Sequence, residues 1–201
     1  METLAFLGRT LGFSFAAGIN LYATVALVGL ASRFGWVQLP PEYTVFANPW
    51  IIGAAIFLYV IEFFADKIPW VDTLWDGLHT FIRPVGGALM AVTALGEASP
   101  GLKALVGLMG GAVAAGSHVT KAGTRVMVNT SPEPFSNWIL SITEDIFVVG
   151  LGMLALNYPI AAAVVVIACV VLMIVFAAWI VRAVRRRRSR FAADQGSGIG
   201  D

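Results

Sequence analysis

The sequence predicts an all-α protein, a polytopic membrane helix bundle of about six spans built as an inverted repeat of two three-helix halves. Three observations carry that prediction. Of 201 residues, 58% are apolar and 12% charged, about half the charged share of an ordinary soluble domain, and the mean hydropathy is +0.82. The apolar residues gather into six segments near the length of about 20 residues that a bilayer core requires. A shift of the chain by 98 residues lays Leu4, Leu7, Gly12, Ala16, Ala17, Gly18 and Val28 on Leu102, Leu105, Gly110, Ala114, Ala115, Gly116 and Val126. A soluble enzyme would need far more polar surface. Disorder needs low hydrophobicity and high net charge, and this chain carries +1.

The first segment, residues 4–31, follows an acidic start and is too long for a signal-peptide core, so it reads as retained. Its roughly 42 Å of helix exceeds a core of roughly 30 Å, which requires strong tilt or a break near Gly18. Gln38-Leu39-Pro40-Pro41 ends it, and Asn48-Pro49 opens the second segment, 49–65. Ile68-Pro69 ends an extension of that segment, and the third follows at 79–95. Ala98-Ser99-Pro100-Gly101 divides the chain near its midpoint. The fourth segment, 102–128, is again long, with Gly116 as its matching break point. Ser131-Pro132-Glu133-Pro134 precedes the fifth, 135–156, and Asn157-Tyr158-Pro159 joins it to the sixth, 159–184. Proline removes a donor and disfavours helix in the residue before it, so these are natural boundaries. Runs such as Ala161-Ala162-Ala163-Val164-Val165 are apolar on every side and do not alternate as barrel strands do.

Residues 1–184 thus form one transmembrane domain with halves 1–98 and 99–184. Residues 185–201 are a basic, then glycine-rich tail expected to lack regular structure. Arg182, Arg185, Arg186, Arg187, Arg188 and Arg190 place that tail in the cytoplasm, beside anionic lipids of the inner membrane. With six spans both termini are cytoplasmic. Arg9, Lys67, Arg83, Lys121 and Arg125 then share the inner side, and Arg33 and Lys103 the outer. A single cysteine, Cys169, rules out an intrachain disulfide.

Polar and ionisable groups at bilayer depth are costly and face protein or water, so they are the functional candidates. They are Asn20, Glu62, His118, Lys121, Arg125, Glu144 and Asp145, read as a substrate or ion pathway. Glu62 and Asp66 share a helix face, as do His118, Lys121 and Arg125. Glu144 and Asp145 point about 100° apart, so at most one of the two is expected to face a central cavity. Asn20 and His118 occupy matching places in the two halves. Lys121 and Arg125 either snorkel to the interface, pair with Glu62, Glu144 and Asp145, or hold an anion. His118 with Glu144 is a candidate proton relay.

Asp66, Asp72 and Asp76, with His79 close by, permit a second reading. They are a candidate Mg²⁺ site, with Arg83 as an anion clamp for a phosphorylated lipid. The same stretch also reads as an amphipathic interfacial helix with Trp70 and Trp75 at headgroup depth. Asn129 to Asn137 is either a carbonyl-rich ion site or a loop whose Ser136 or Asn137 caps the next helix. Phosphate-binding glycine loops, CxxC, HExxH and GxSxG are all absent from the sequence, and nothing in it points to nucleic acid.

Several motifs carry a resemblance. Ala17-Gly18-Ile19-Asn20-Leu21-Tyr22 is one. Glu62-x-x-Ala65-Asp66-Lys67-Ile68-Pro69-x-Val71-Asp72-x-x-Trp75-Asp76, then Ile82-Arg83-Pro84, is a second. Lys121-Ala122-Gly123-x-Arg125, the Asn129–Asn137 loop and Glu144-Asp145 make a third. Together they resemble a family of small bacterial integral membrane proteins, a domain of unknown function, over nearly all the chain except the tail. The resemblance implies a membrane domain but no substrate, catalytic residue or resident cofactor. The leading functional expectation is a small secondary transporter or permease, coupled to protons or a cation and dimeric because one copy is small. The alternatives are the lipid-phosphate enzyme with Mg²⁺ and a non-catalytic scaffold whose polar groups glue helices.

Overall fold

A computed structural model describes residues 2–130 and 135–197. They form α1 (Glu2–Ile19), α2 (Leu21–Phe34), a 3-10 segment (Pro41–Ala47), α3 (Pro49–Ala65), α4 (Pro69–Thr93), α5 (Pro100–Asn129), α6 (Phe135–Asn157) and α7 (Pro159–Ser197), with no strand among the described residues. Pro49, Pro69, Pro100 and Pro159 each open a helix, at the position where a missing N–H is harmless. Asn48 Oδ1 accepts from the Trp50 amide at 2.9 Å, and Ser99 Oγ from the Leu102 amide at 3.3 Å. Each thereby satisfies a free helix-end donor.

The chain divides into two compact units, residues 1–166 and 167–201. The second is the continuation of α7, with Val171, Leu172, Ile174, Val175, Phe176 and Trp179 exposed and Phe176 stacked on Trp179. Helix persists to Ser197, where the tail from residue 185 was expected to be irregular. Arginine and alanine are good helix formers, and this segment is rich in both. The last glycines, like Ser131-Pro132-Glu133-Pro134, lie outside the described residues.

Three helices are long and apolar enough to cross a membrane: α5, α6 and Pro159–Trp179. The 3-10 segment with α3, bent by 63°, makes a fourth if counted as one span. The six expected spans differ from these at two places. The third expected segment, 79–95, falls on α4 up to its end at Thr93; α4 is 25 residues long, but four ionisable side chains lower its apolarity. The first expected segment is not one helix. It is interrupted at Asn20, whose backbone is extended at φ −147°, ψ 98°.

At that residue the chain turns back. On α1, a Cβ added to Gly12 would meet Ala155 of α6, and Phe15 packs edge-on against Phe147. Asn20 reaches Asp145. Beyond the break, α2 no longer advances: a Cβ on Gly152 would meet Leu27. α1 and α2 are therefore a helical hairpin inserted from one end of the bundle, with Asn20 at its tip.

The expected partner break at Gly116 does not form, and α5 is continuous over 30 residues. Ser117, next to Gly116, is a residue type that can cap a helix start, but its Oγ donates to the Phe15 and Ala114 carbonyls at 2.9 and 3.1 Å, whereas Asn20 does cap, its Oδ1 accepting from the Ala23 amide at 2.9 Å.

The remaining helices set the levels of the bundle. α4 and α5 run antiparallel, matching Asn129 with Asp72, Thr80 with His118 and Val92 with Gly107. α1 runs parallel to α5 and meets it closely. A Cβ on Gly18 would collide with Ser117 Oγ and the Ala114 carbonyl. Small residues at this crossing let the two backbones touch, the usual device of helix pairs in lipid.

One sequence expectation fails on this packing. Arg9 lies beside Ala94, at the opposite end of the bundle from Lys67 and Arg125, because the hairpin makes the first segment return instead of crossing.

Candidate functional site: a buried charge network at the hairpin tip

α4 is amphipathic with its polar face turned inward. Asp72, Asp76, His79 and Arg83 are buried, while Leu74, Leu78, Phe81, Val85 and Leu89 are exposed. The interfacial-helix reading is thereby corrected: in lipid the apolar face belongs outside and the polar face must find protein partners. The matching polar stripe of α5 is His118, Lys121, Arg125 and Asn129. That of α6 is Asn137, Ser141, Glu144 and Asp145. Glu62 and Asp66 arrive from the end of α3.

Arg83 is fully buried. Its Nη2 donates to Glu62 Oε1 at 2.7 Å and its Nη1 to His118 Nδ1 at 2.8 Å, with Asp76 Oδ1 at 3.4 Å. His118 Nδ1 is therefore an acceptor, and its Nε2–H faces Thr80 Oγ1 at 3.1 Å. Thr80 in turn donates to the Asp76 carbonyl, so the imidazole is held neutral in a single tautomer. His79 is fixed in the same manner, donating from Nδ1 to the Trp75 carbonyl at 2.7 Å and accepting at Nε2 from Tyr22 at 2.9 Å.

Lys121 Nζ sits 3.1 Å from Asp66 Oδ2, 3.4 Å from Glu62 Oε1 and 3.8 Å from Glu144 Oε2. Arg125 pairs with Glu144 Oε2 at 2.5 Å and Asp66 Oδ2 at 3.1 Å. Its Nη1 donates to Asn137 Oδ1 at 2.8 Å and to the Asp66 carbonyl at 2.9 Å. With Lys121 5% and Arg125 1% exposed, snorkelling is excluded for both.

The hairpin tip is wired into this network by its backbone. Arg83 Nη1 donates to the Gly18 carbonyl at 3.4 Å and Lys121 Nζ to the Ile19 carbonyl at 3.2 Å. Two cations thus meet the negative end of α1. Asn20 Nδ2 donates to Asp145 Oδ1 at 3.2 Å, so a carboxylate lies near the positive start of α2.

The sequence-derived candidates thus converge, with some roles changed. Asn20, Glu62, Lys121, Arg125, Glu144 and Asp145 all join the network. Glu144 and Asp145 both engage it, one through Arg125 and the other through Asn20, where at most one of the two was expected to. His118 is held by Arg83 and Thr80, so its expected relay to Glu144 is not formed. Arg83 is enclosed by Glu62, Asp76 and His118 and is not free to clamp a phosphate. Asp66 is bound to Lys121 and Arg125, Asp72 to Asn129 at 2.7 Å, and Asp76 to Arg83. Among the described residues no group of three or more His, Cys, Asp or Glu is arranged to hold a metal ion.

Asn129 and Asn137 belong to the network although their sequence context suggested a loop and a cap. Their helical spacing from Arg125 and from Ser141 was the available signal. Tyr22 gave none, since a tyrosine after a break is unremarkable in sequence.

Six carboxylates (Glu62, Asp66, Asp72, Asp76, Glu144, Asp145) face three cations inside this cluster. Lys67 stands at its margin, donating to the Phe63 carbonyl at 2.9 Å and approaching Ser141 Oγ at 3.4 Å. Several buried carboxylate oxygens have no hydrogen-bond donor, among them Glu62 Oε2, Asp66 Oδ1 and Asp76 Oδ2. A cavity of about 210 Å³, lined by Thr73, Asp76, Thr80, Ala122 and Arg125, reaches the cluster between α4 and α5.

The molecule so described is a helical membrane protein of unknown function with a charged interior. The family model for Domain of unknown function (DUF4126) matches residues 7–179, and the chain belongs to that family. Comparison with curated proteins and with solved structures returned no match.

Proposed function

We propose that the protein is a small permease of the bacterial inner membrane, moving a small solute or ion in step with protons or a monovalent cation, with its arginine-rich end in the cytoplasm. The observation that carries this reading is the hairpin tip. An interrupted helix places Asn20 and the helix-end carbonyls of Gly18 and Ile19, which accept from Arg83 and Lys121, inside a cluster with more carboxylates than cations. Interrupted helices at bilayer depth are tolerated where they are buried in protein or line a cavity, and in secondary transporters such breaks form the substrate and ion sites.

The charge excess gives the tip a chemical role. Uncompensated negative charge in a low-dielectric interior is costly, so the cluster is stabilised by taking up a proton or a cation. The cavity beside Asp76 supplies a route. Binding of a positive charge would loosen the competing hold of Lys121 and Arg125 on Glu62, Asp66 and Glu144. Those two cations tie α5 to α3, α6 and the hairpin, so their release would couple occupancy to helix movement. Lys121 and Arg125 act here as gate residues.

Purified protein in liposomes, scanned for solute uptake driven by a pH or Na⁺ gradient, tests the proposal. Gradient-driven uptake that Glu62→Gln and Glu144→Gln each reduce at least tenfold supports it. Uptake equal to that of empty liposomes, or indifferent to both substitutions, removes it and leaves the network as a device that holds helices together.

A further inference from the structure

A second polar site lies at the other end of the bundle. Between α1, the 3-10 segment and the end of α4 is a cavity of about 350 Å³, lined by Ala5, Phe6, Arg9, Glu42, Tyr43 and Ala94. Its size falls at the lower end of small-molecule sites, roughly 300–1,000 Å³. Tyr43 is 1% exposed, yet its hydroxyl has no hydrogen-bond partner. The Nε of Arg9 is likewise buried and unpartnered. None of the ion pairs among the described residues involves Arg9 or Glu42.

These groups are positioned by packing. Tyr43 is wedged edge-on against Phe13, with ring centroids 5.7 Å apart, and lies beside Phe46. Glu42 is backed by Gly96, whose φ is +56° and whose added Cβ would collide with the Glu42 carboxylate. The turn after α4 thus brings bare backbone against that side chain, an approach that only glycine permits.

The cavity therefore holds one guanidinium, one carboxylate and one buried hydroxyl, none spoken for. A simple anion would meet repulsion from Glu42, and a simple cation repulsion from Arg9. A molecule carrying both charges satisfies all three groups. We propose that the cavity binds a small zwitterion with a carboxylate and an ammonium close together, as in an aliphatic α-amino acid. Arg9 and the Tyr43 hydroxyl donate to the carboxylate, Glu42 accepts from the ammonium, and Ala5, Phe6 and Ala94 contact the aliphatic remainder. Charge-assisted hydrogen bonds of this kind are the strong ones. Binding at this site does not depend on the permease reading, because it is measured at equilibrium without flux.

The test is saturation-transfer NMR and thermal stabilisation on the full chain in detergent micelles. The probes are glycine, L-alanine and L-valine, with 3-methylbutanoate (no ammonium) and 2-methylpropylamine (no carboxylate) as single-charge controls. At least one amino acid is expected to bind saturably and at least tenfold more tightly than either control. Arg9→Gln and Glu42→Gln are each expected to weaken it at least tenfold. Tyr43→Phe, which keeps the ring and loses the hydroxyl, should weaken binding severalfold while leaving the ligand-free melting temperature unchanged or higher. That last pair of readouts separates a ligand role from a fold role. No binding by any of the three amino acids, equal binding by the single-charge controls, or full binding by a folded Tyr43→Phe together with Arg9→Gln overturns the proposal.

Discussion

At the scale of single residues, Arg83 and Asn20 do the most to organise the interior. Arg83 has 0% exposure and touches Glu62, Asp76, His118 and the Gly18 carbonyl. Removing one partner of such a buried pair strands the other charge, at a cost of about 3–5 kcal/mol. Arg83→Met should therefore lower the unfolding temperature sharply in detergent. The double variant Glu62→Leu with Arg83→Met should recover part of that loss, since it leaves fewer unpaired charges. A double variant as unstable as the single one would show that the pair matters for more than its charges. Asn20→Ala should cost about 1 kcal/mol through the lost cap. Asn20→Asp keeps a cap acceptor but sets a second carboxylate against Asp145, 3.2 Å from the present amide nitrogen. It should be the worse of the two in thermal unfolding at neutral pH, and the gap should close as acid protonates the pair.

The helices show which patterns sequence reading can interpret. The spacing of Asp72, Asp76 and His79 on α4 is that of one helix face. It did not say whether that face turns to water or to protein, because the contrast between a polar and an apolar face is equally strong in both cases. The exposed Leu74, Leu78, Phe81 and Val85 answer the question. Glycines divide in the same way. Gly18 and Gly53 are both helical glycines, but a Cβ on Gly18 would strike Ser117 and Ala114, while one on Gly53 would meet nothing. Gly18→Ala should force α1 and α5 apart and cost about 1–3 kcal/mol. Gly53→Ala should be neutral or stabilise by up to about 1 kcal/mol. Thermal melts of the two variants side by side check the contrast. Equal behaviour would mean that the close crossing of α1 and α5 is not formed.

For the first 166 residues taken together, the hairpin decides the topology. It sets Thr3, Trp36 and Glu97 at one end of the bundle and Ile68 and Thr130 at the other, and all five are exposed. Single cysteines at these positions, in a Cys169→Ala background, should react with a membrane-impermeant thiol reagent from two opposite sides in that grouping. Labelling of Thr3→Cys from the same side as Ile68→Cys would restore a first segment that crosses completely. The comparison requires only intact cells and inverted vesicles, and it does not rest on any transport activity.

The amino-acid sequence alone determined the membrane character, the helical class, most helix boundaries and the ionisable residues of the interior. Composition, proline and asparagine at helix starts, and polar side chains recurring at helical spacing are local properties, and local properties survive in a linear text. Tertiary structure alone decided that the first segment turns back at Asn20, that the polar face of α4 turns inward, and that Arg83, Lys121 and Arg125 each find a carboxylate on another helix. Asn20 and His118 look equivalent in the 98-residue repeat, yet one caps a new helix and the other sits within an unbroken one. The difference lies in partners that stand far away in sequence, such as Asp145 for Asn20 and Arg83 for His118, and only packing brings them together.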